Sequence, residues 1–220
     1  MLRTYFKYCF YLIVFSVNIA SHAGSYDDFF AAVAQDDVQQ VKALLERGFD
    51  PNTLDPSGTH GLLLAVKAKS VNTAELLIRW PKTRVESRNA AGESPLMLAA
   101  LAGDLELCRL LIGKDADVNK TGWTPLHYAA TNGHVDVVRL LLEENAYIDA
   151  ASPNGTTPLM MAAHYGTSTA VKLLLESGAD PTLKNELGLT AFDFANRGNR
   201  ADAAALIAAF IRGRQPKGTW

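Results

Sequence analysis

The sequence predicts an all-α solenoid of stacked helix-turn-helix units joined by hairpin-like loops. Three observations predict it. The first is recurrence at a period near 33. Gly122-Trp-Thr-Pro-Leu-His-Tyr-Ala-Ala130 returns as Gly155-Thr-Thr-Pro-Leu-Met-Met-Ala-Ala163 and is preceded by Gly92-Glu-Ser-Pro-Leu-Met-Leu-Ala-Ala100. The second is punctuation: Ser94, Thr124 and Thr157 each precede a proline, and Gly103, Gly133 and Gly166 follow nine residues later. The third is an apolar second segment, as in Val135-Asp-Val-Val-Arg-Leu-Leu-Leu142, where six of eight positions are apolar. That exceeds one amphipathic stripe, so such a unit needs neighbours on both sides to bury its surface.

The first 23 residues stand apart. Arg3 and Lys7 precede a mostly apolar run from Tyr8 to Ala20, and Ser21-His22-Ala23 offers small residues at −3 and −1 of a cut before Gly24. This is the three-part layout of a secretory signal peptide, and the run is short of the roughly 20 residues a spanning helix needs. Cleavage is expected, a retained anchor being the alternative. Losing Arg3 and Lys7 from 21 basic residues leaves 19 against 23 acidic, a net charge of −4.

The units then follow in order. Residues 25–55 form an N-terminal cap, with Ser25-Tyr-Asp-Asp28 as a capping box and Asp28 where later units have proline. Residues 56–88 are a degenerate unit opened by Gly58-Thr-His-Gly-Leu-Leu-Leu-Ala65 and closed by Arg79-Trp-Pro-Lys82, where proline stops the helix. Residues 89–118, 119–151 and 152–184 are the regular units. In these a hydroxyl residue caps the first helix, proline occupies its first position and glycine ends it in a left-handed conformation. Residues 185–211 form a C-terminal cap, and 212–220 a frayed tail. The aligned alanines Ala32, Ala65, Ala99, Ala129, Ala162 and Ala195 are spaced 33, 34, 30, 33 and 33 apart. The short step falls at Asn119-Lys-Thr-Gly122, where a stunted finger and a notch are expected.

Thr124-Pro-Leu-His-Tyr-Ala129, with its staggered partial copies, resembles the ankyrin-repeat signature. The resemblance covers residues 25 to about 211. It implies a non-catalytic protein-binding module that meets partners through loop tips and the concave face of its first helices. It also implies that His127 ties neighbouring units together through hydrogen bonds and that His134, which starts a second helix, has a structural role. Exported single arrays of this size look like bacterial periplasmic ones, so the periplasm is the expected compartment and full secretion the alternative.

Composition excludes other classes. The net charge of −2 lacks the basic footprint of a general nucleic-acid binder. Two cysteines, Cys9 and Cys108, exclude a disulfide scaffold and a cysteine-built zinc site. Cys108 lies on an apolar second segment and reads as a buried small hydrophobe. No paired metal ligands, phosphate-cradling loop or nucleophile motif appears, so no cofactor, metal or catalytic residue is expected. A hydrolytic enzyme is the remote alternative. No membrane association is expected after cleavage, and a monomer is expected.

Recognition remains. The expected partner contacts are Leu101, Trp123, Thr131, Asn132, Thr156, His164, Tyr165, Leu189 and Arg197, from the loop tips and the exposed ends of the first helices. The centre is aromatic and apolar, a composition enriched among residues that dominate binding energy. A scaffold or chaperone-like binder is the first reading. An inhibitor or immunity-type protein that blocks one enzyme or toxin is the second.

Overall fold

The computed structural model describes residues 24–214. The expected export signal and residues 215–220 of the expected tail lie outside the described residues. The chain divides into two compact units, one up to Arg84 and one from Val85 onward. Among the described residues the regular structure is helical apart from one antiparallel bridge, Leu54 to His60.

The first unit holds α1 (24–34), α2 (Val38–Glu46), α3 (Gly61–Ala68) and α4 (Val71–Arg79). The chain is already helical at residue 24, so Ser25 to Asp28 lie inside α1 and do not cap it. The cap expected there is corrected: residues 25–28 are themselves helical, whereas a capping residue stands outside the helix it caps. Phe29 is fully buried and stacks on Phe49 with ring centroids 4.5 Å apart. That ring explains the degenerate unit. A Cβ on Gly61 would stand 2.7 Å from Phe29, so the position that is proline elsewhere is glycine here.

His60 takes the place of the capping hydroxyl. Its Nδ1 accepts the Leu62 N–H at 3.1 Å, and its Nε2 pairs with Asn52 Oδ1 at 3.1 Å. Burial holds its pKa down to about 4, so the ring stays neutral and Nδ1 keeps its lone pair. His60 is thus the N-cap of α3. At the other end of this unit α4 stops at Arg79, with Trp80 extended ahead of Pro81, as the residue before a proline must be.

The second unit holds α5 (Pro95–Ala102), α6 (Leu105–Ile112), α7 (Pro125–Asn132), α8 (Val135–Glu143), α9 (Pro158–Tyr165), α10 (Ser168–Glu176), α11 (Ala191–Arg197) and α12 (Ala201–Arg214). The first helices α5, α7, α9 and α11 pack side by side in that order, and the second helices α6, α8, α10 and α12 form a parallel row. Leu96, Leu126 and Leu159 are fully buried, and so are the alanine pairs that follow them. Alanine leaves room for the close approach of adjacent first helices, while Val137, Val138, Leu140 and Leu141 seal α8 against its neighbours.

Proline opens α5, α7 and α9, and Ser94 and Thr157 each accept an N–H from the first turn, at 3.3 and 3.4 Å. Thr124 departs from this, because its hydroxyl pairs with His127 Nδ1 at 2.9 Å. Gly103 and Gly133 are left-handed, with φ of 75° and 67°. Gly166 is not, at φ −82°. It is glycine because a Cβ would lie 2.4 Å from the Ala130 carbonyl. The tail also starts later than expected: α12 runs through Arg214, whose guanidinium sits over the Phe210 ring at 4.3 Å.

Candidate protein-binding face

The first helices of the second unit present one register of side chains that the stacking leaves uncovered. Directly after each buried alanine pair come Leu101, Thr131 and His164, and Arg197 holds the same register on α11. One residue further come Ala102, Asn132 and Tyr165. Tyr165 is 60% exposed, Asn132 and Arg197 are exposed, and Leu101, Thr131 and His164 are half-buried. Positions three residues earlier lie on the same helical face and hold Leu98, Tyr128, Met161 and Phe194, all half-buried. Sequence reading omitted this row. Its signal was a change of identity at that motif position from each of these helices to the next, as at the finger position of Glu93, Trp123, Thr156 and Leu189.

Several of these residues also hold the array together. Leu101 offers its carbonyl to two donors, Asn132 Nδ2 at 2.8 Å and His134 Nε2 at 3.0 Å. Thr131 donates to the His127 carbonyl. His164 Nδ1 donates to the Phe194 carbonyl at 2.9 Å, and its ring meets Tyr165 edge-on at 4.1 Å. His164 therefore fixes the Tyr165 ring in place. His127 accepts the Thr124 N–H at Nδ1 (3.1 Å) and donates from Nε2 to the Thr156 carbonyl (2.9 Å). Burial lowers its pKa to about 4.

The fingers supply the rest. Three fingers of the second unit close alike: a residue's N–H reaches the carbonyl four positions on, and the N–H three positions on returns to it. These are Asn89 to Glu93, Ser152 to Thr156 and Asn185 to Leu189. No such pair closes 119–123 among the described residues, which agrees with the missing three residues there. Instead Lys120 Nζ donates to the Gly92 carbonyl at 3.0 Å. Asn119 grips the next turn through Tyr147 N–H and Asn145 C=O, both at 2.8 Å. Trp123 is half-buried, its ring edge-on to His127 at 5.2 Å.

Leu189 is half-buried at the last finger. Thr156 is the exception among the expected contacts. It is 2% exposed, with its N–H bonded to Ser152 and its carbonyl to His127. The finger turns it inward, so its side chain is out of a partner's reach.

A family model for ankyrin repeats in three copies matches residues 29–121, 62–152, 96–185 and 148–214. The chain belongs to the ankyrin-repeat family. Protein–protein interaction is the activity that goes with that membership. Over 77 residues the chain is 39% identical to human neurogenic locus notch homolog protein 4, covering 35% of this chain and 4% of that protein. Over 93 residues it is 37% identical to the ankyrin repeat and KH domain-containing protein mask of Drosophila melanogaster, covering 40% of this chain and 2% of that one. The chain thus spans a small fraction of the length of both.

Two solved structures are similar over 83% of this chain, each at a TM-score of 0.73 and 28% identity. One is an ankyrin repeat domain from Acinetobacter baumannii AYE, covered to 96%. The other is a chain, covered to 97%, from the complex of the predatory endopeptidase Bd0816 of Bdellovibrio bacteriovorus with the immunity protein Bd3460.

Among the described residues no group of three or more His, Cys, Asp or Glu is placed to hold a metal. Cys108 is fully buried, and burial, helped by Asp104, pushes its thiol up to about 12. A thiol held protonated in this way is no nucleophile. No helix of the described residues is long and apolar enough to cross a membrane.

Proposed function

We propose that this ankyrin-repeat protein is a non-catalytic binder that docks one partner protein on the first-helix face of residues 85–214, after export to the periplasm. The observation that carries the reading is the contrast between registers. The framework leucines and alanines repeat and are buried, whereas the adjoining register differs in every unit and is left open. Stability and recognition then rest on separate side chains. The aromatic centre of the face, Trp123, Tyr128 and Tyr165, is of the kind that dominates binding energy at interfaces. The export half of the proposal rests on the N-terminal segment alone, and the processed N-terminus of the secreted chain tests it.

Replacing Trp123 and Tyr165 together by alanine is expected to abolish capture of the partner from a periplasmic extract. The melting temperature should stay within a few degrees, because neither residue belongs to the buried framework. Full capture by the double variant would overturn the docking face.

A second reading, an inhibitor that protects against one enzyme, is favoured by a specific observation. One structural neighbour is a chain from an endopeptidase–immunity protein complex. The two readings separate on what the captured partner does. An inhibitor silences an enzymatic activity of its partner at one-to-one stoichiometry, and a scaffold leaves that activity unchanged.

A further inference from the structure

We propose that the first-helix face carries a built seat for an arginine side chain of the partner, centred on Glu93. The inference deepens the docking reading above and rests on it. Glu93 ends the 89–93 finger, half-buried. Its Oε1 accepts the Tyr128 hydroxyl at 3.0 Å and its Oε2 accepts Asn89 Nδ2 at 2.8 Å. Both donors are neutral, so they fix the carboxylate without cancelling its charge. Burial and the neighbouring Glu93 charge push the Tyr128 hydroxyl above its ordinary range, which keeps it a donor.

No ion pair to Glu93 occurs among the described residues. The cations closest to it along these two loops are engaged elsewhere. Arg88 lies between Glu86 at 2.7 Å and Asp117 at 3.1 Å. Lys120 donates to the Gly92 carbonyl. A partly desolvated charge without a counter-ion is costly. Here it lies beside the half-buried row Leu98, Tyr128, Met161 and Phe194, whose side chains are apolar or aromatic.

The chemistry of the remaining acceptor sites selects the occupant. A carboxylate offers about two acceptor sites per oxygen, and each Glu93 oxygen has one occupied. One site on each oxygen remains, which is the pattern met by the two parallel donors of a guanidinium. An ammonium is a point donor and fills it less well. Tyr128, and Trp123 at the same register on the next finger, provide ring faces on which a guanidinium stacks. That next finger, 119–123, is three residues short, so no tip of ordinary length follows the carboxylate there.

The test titrates the purified protein with N-acetyl-arginine methylamide, its lysine counterpart and its uncharged citrulline counterpart. The Trp123 indole and Glu93 amide resonances report binding. Arginine should shift both, lysine less, and citrulline not at all. Glu93→Gln should weaken the arginine response about tenfold, the effect of losing one charge-assisted contact. Should that variant fail to melt cooperatively, Glu93→Asp serves in its place. Equal responses to arginine and citrulline, or an unchanged response in the variant, would overturn the seat.

Partner capture separates this inference from the reading beneath it. Capture lost in the Trp123→Ala, Tyr165→Ala double variant but retained by Glu93→Gln keeps the face and discards the seat. Capture retained by the double variant discards the face, and with it the seat for a partner's arginine.

Discussion

His127 shows how one side chain links sequence, stacking and solution behaviour. It closes the start of α7 through Thr124 and reaches the next unit through the Thr156 carbonyl. Both bonds require the neutral ring, because Nδ1 accepts while Nε2 donates. Protonation would place a donor against the Thr124 N–H. His60 does the same work in the first unit, with Nδ1 as acceptor from Leu62. Burial lowers the pKa of each ring from 6.5 to about 4.

The sign follows from linkage. The unfolded chain binds these protons first, so the stability they contribute is whole above pH 6.5 and is lost as pH falls towards 4. Urea unfolding at pH 7.0, 5.5 and 4.5 should show stability falling across that window. His127→Gln should flatten part of the slope while lowering stability at pH 7. An equal slope in the variant would remove His127 from the account.

At the scale of the helix, two kinds of small residue begin and end the repeat, and they act for different reasons. Thr157 accepts a first-turn N–H, so Thr157→Ala should cost about 1 kcal/mol. Gly166 is held by crowding, with the Ala130 carbonyl and Ala162 both within 3 Å of a Cβ at that site. Gly166→Ala should cost about 1–3 kcal/mol through overpacking between α7 and α9. Chemical denaturation of the two variants checks the order. A harmless Gly166→Ala would mean that the first helices can slide apart, and the tight stacking would have to be abandoned.

For the molecule as a whole, what could be read from sequence follows how local each constraint is. The helix starts at Pro95, Pro125 and Pro158 were legible because a proline after a hydroxyl residue is a property of two neighbouring residues. The shortened finger was legible as a step of 30 in an array of 33. The reason for Gly166, the cap made by His60 and the bond from Lys120 to Gly92 were not. The first and third depend on how closely one repeat packs against the next, which no single segment encodes, and the His60 cap, though local, uses a residue outside the usual capping set.

The face was legible in part, since Leu101, Thr131, His164 and Arg197 share a register defined by the alanines. Thr156 was misplaced because its short side chain is buried in its finger, whereas the longer Glu93, Trp123 and Leu189 at the same register stay half-buried. The Glu93 and Tyr128 contact joins residues 35 apart and has no sequence signature.

Stacked helices thus carry the stability, and the register they leave uncovered is available for a partner. Hydrogen exchange of the protein with and without its captured partner tests this division most directly. The account predicts added protection at the ends of α5, α7 and α9 and in the fingers 89–93, 119–123 and 185–189, with α6, α8 and α10 unchanged. Protection confined to the second helices would contradict it.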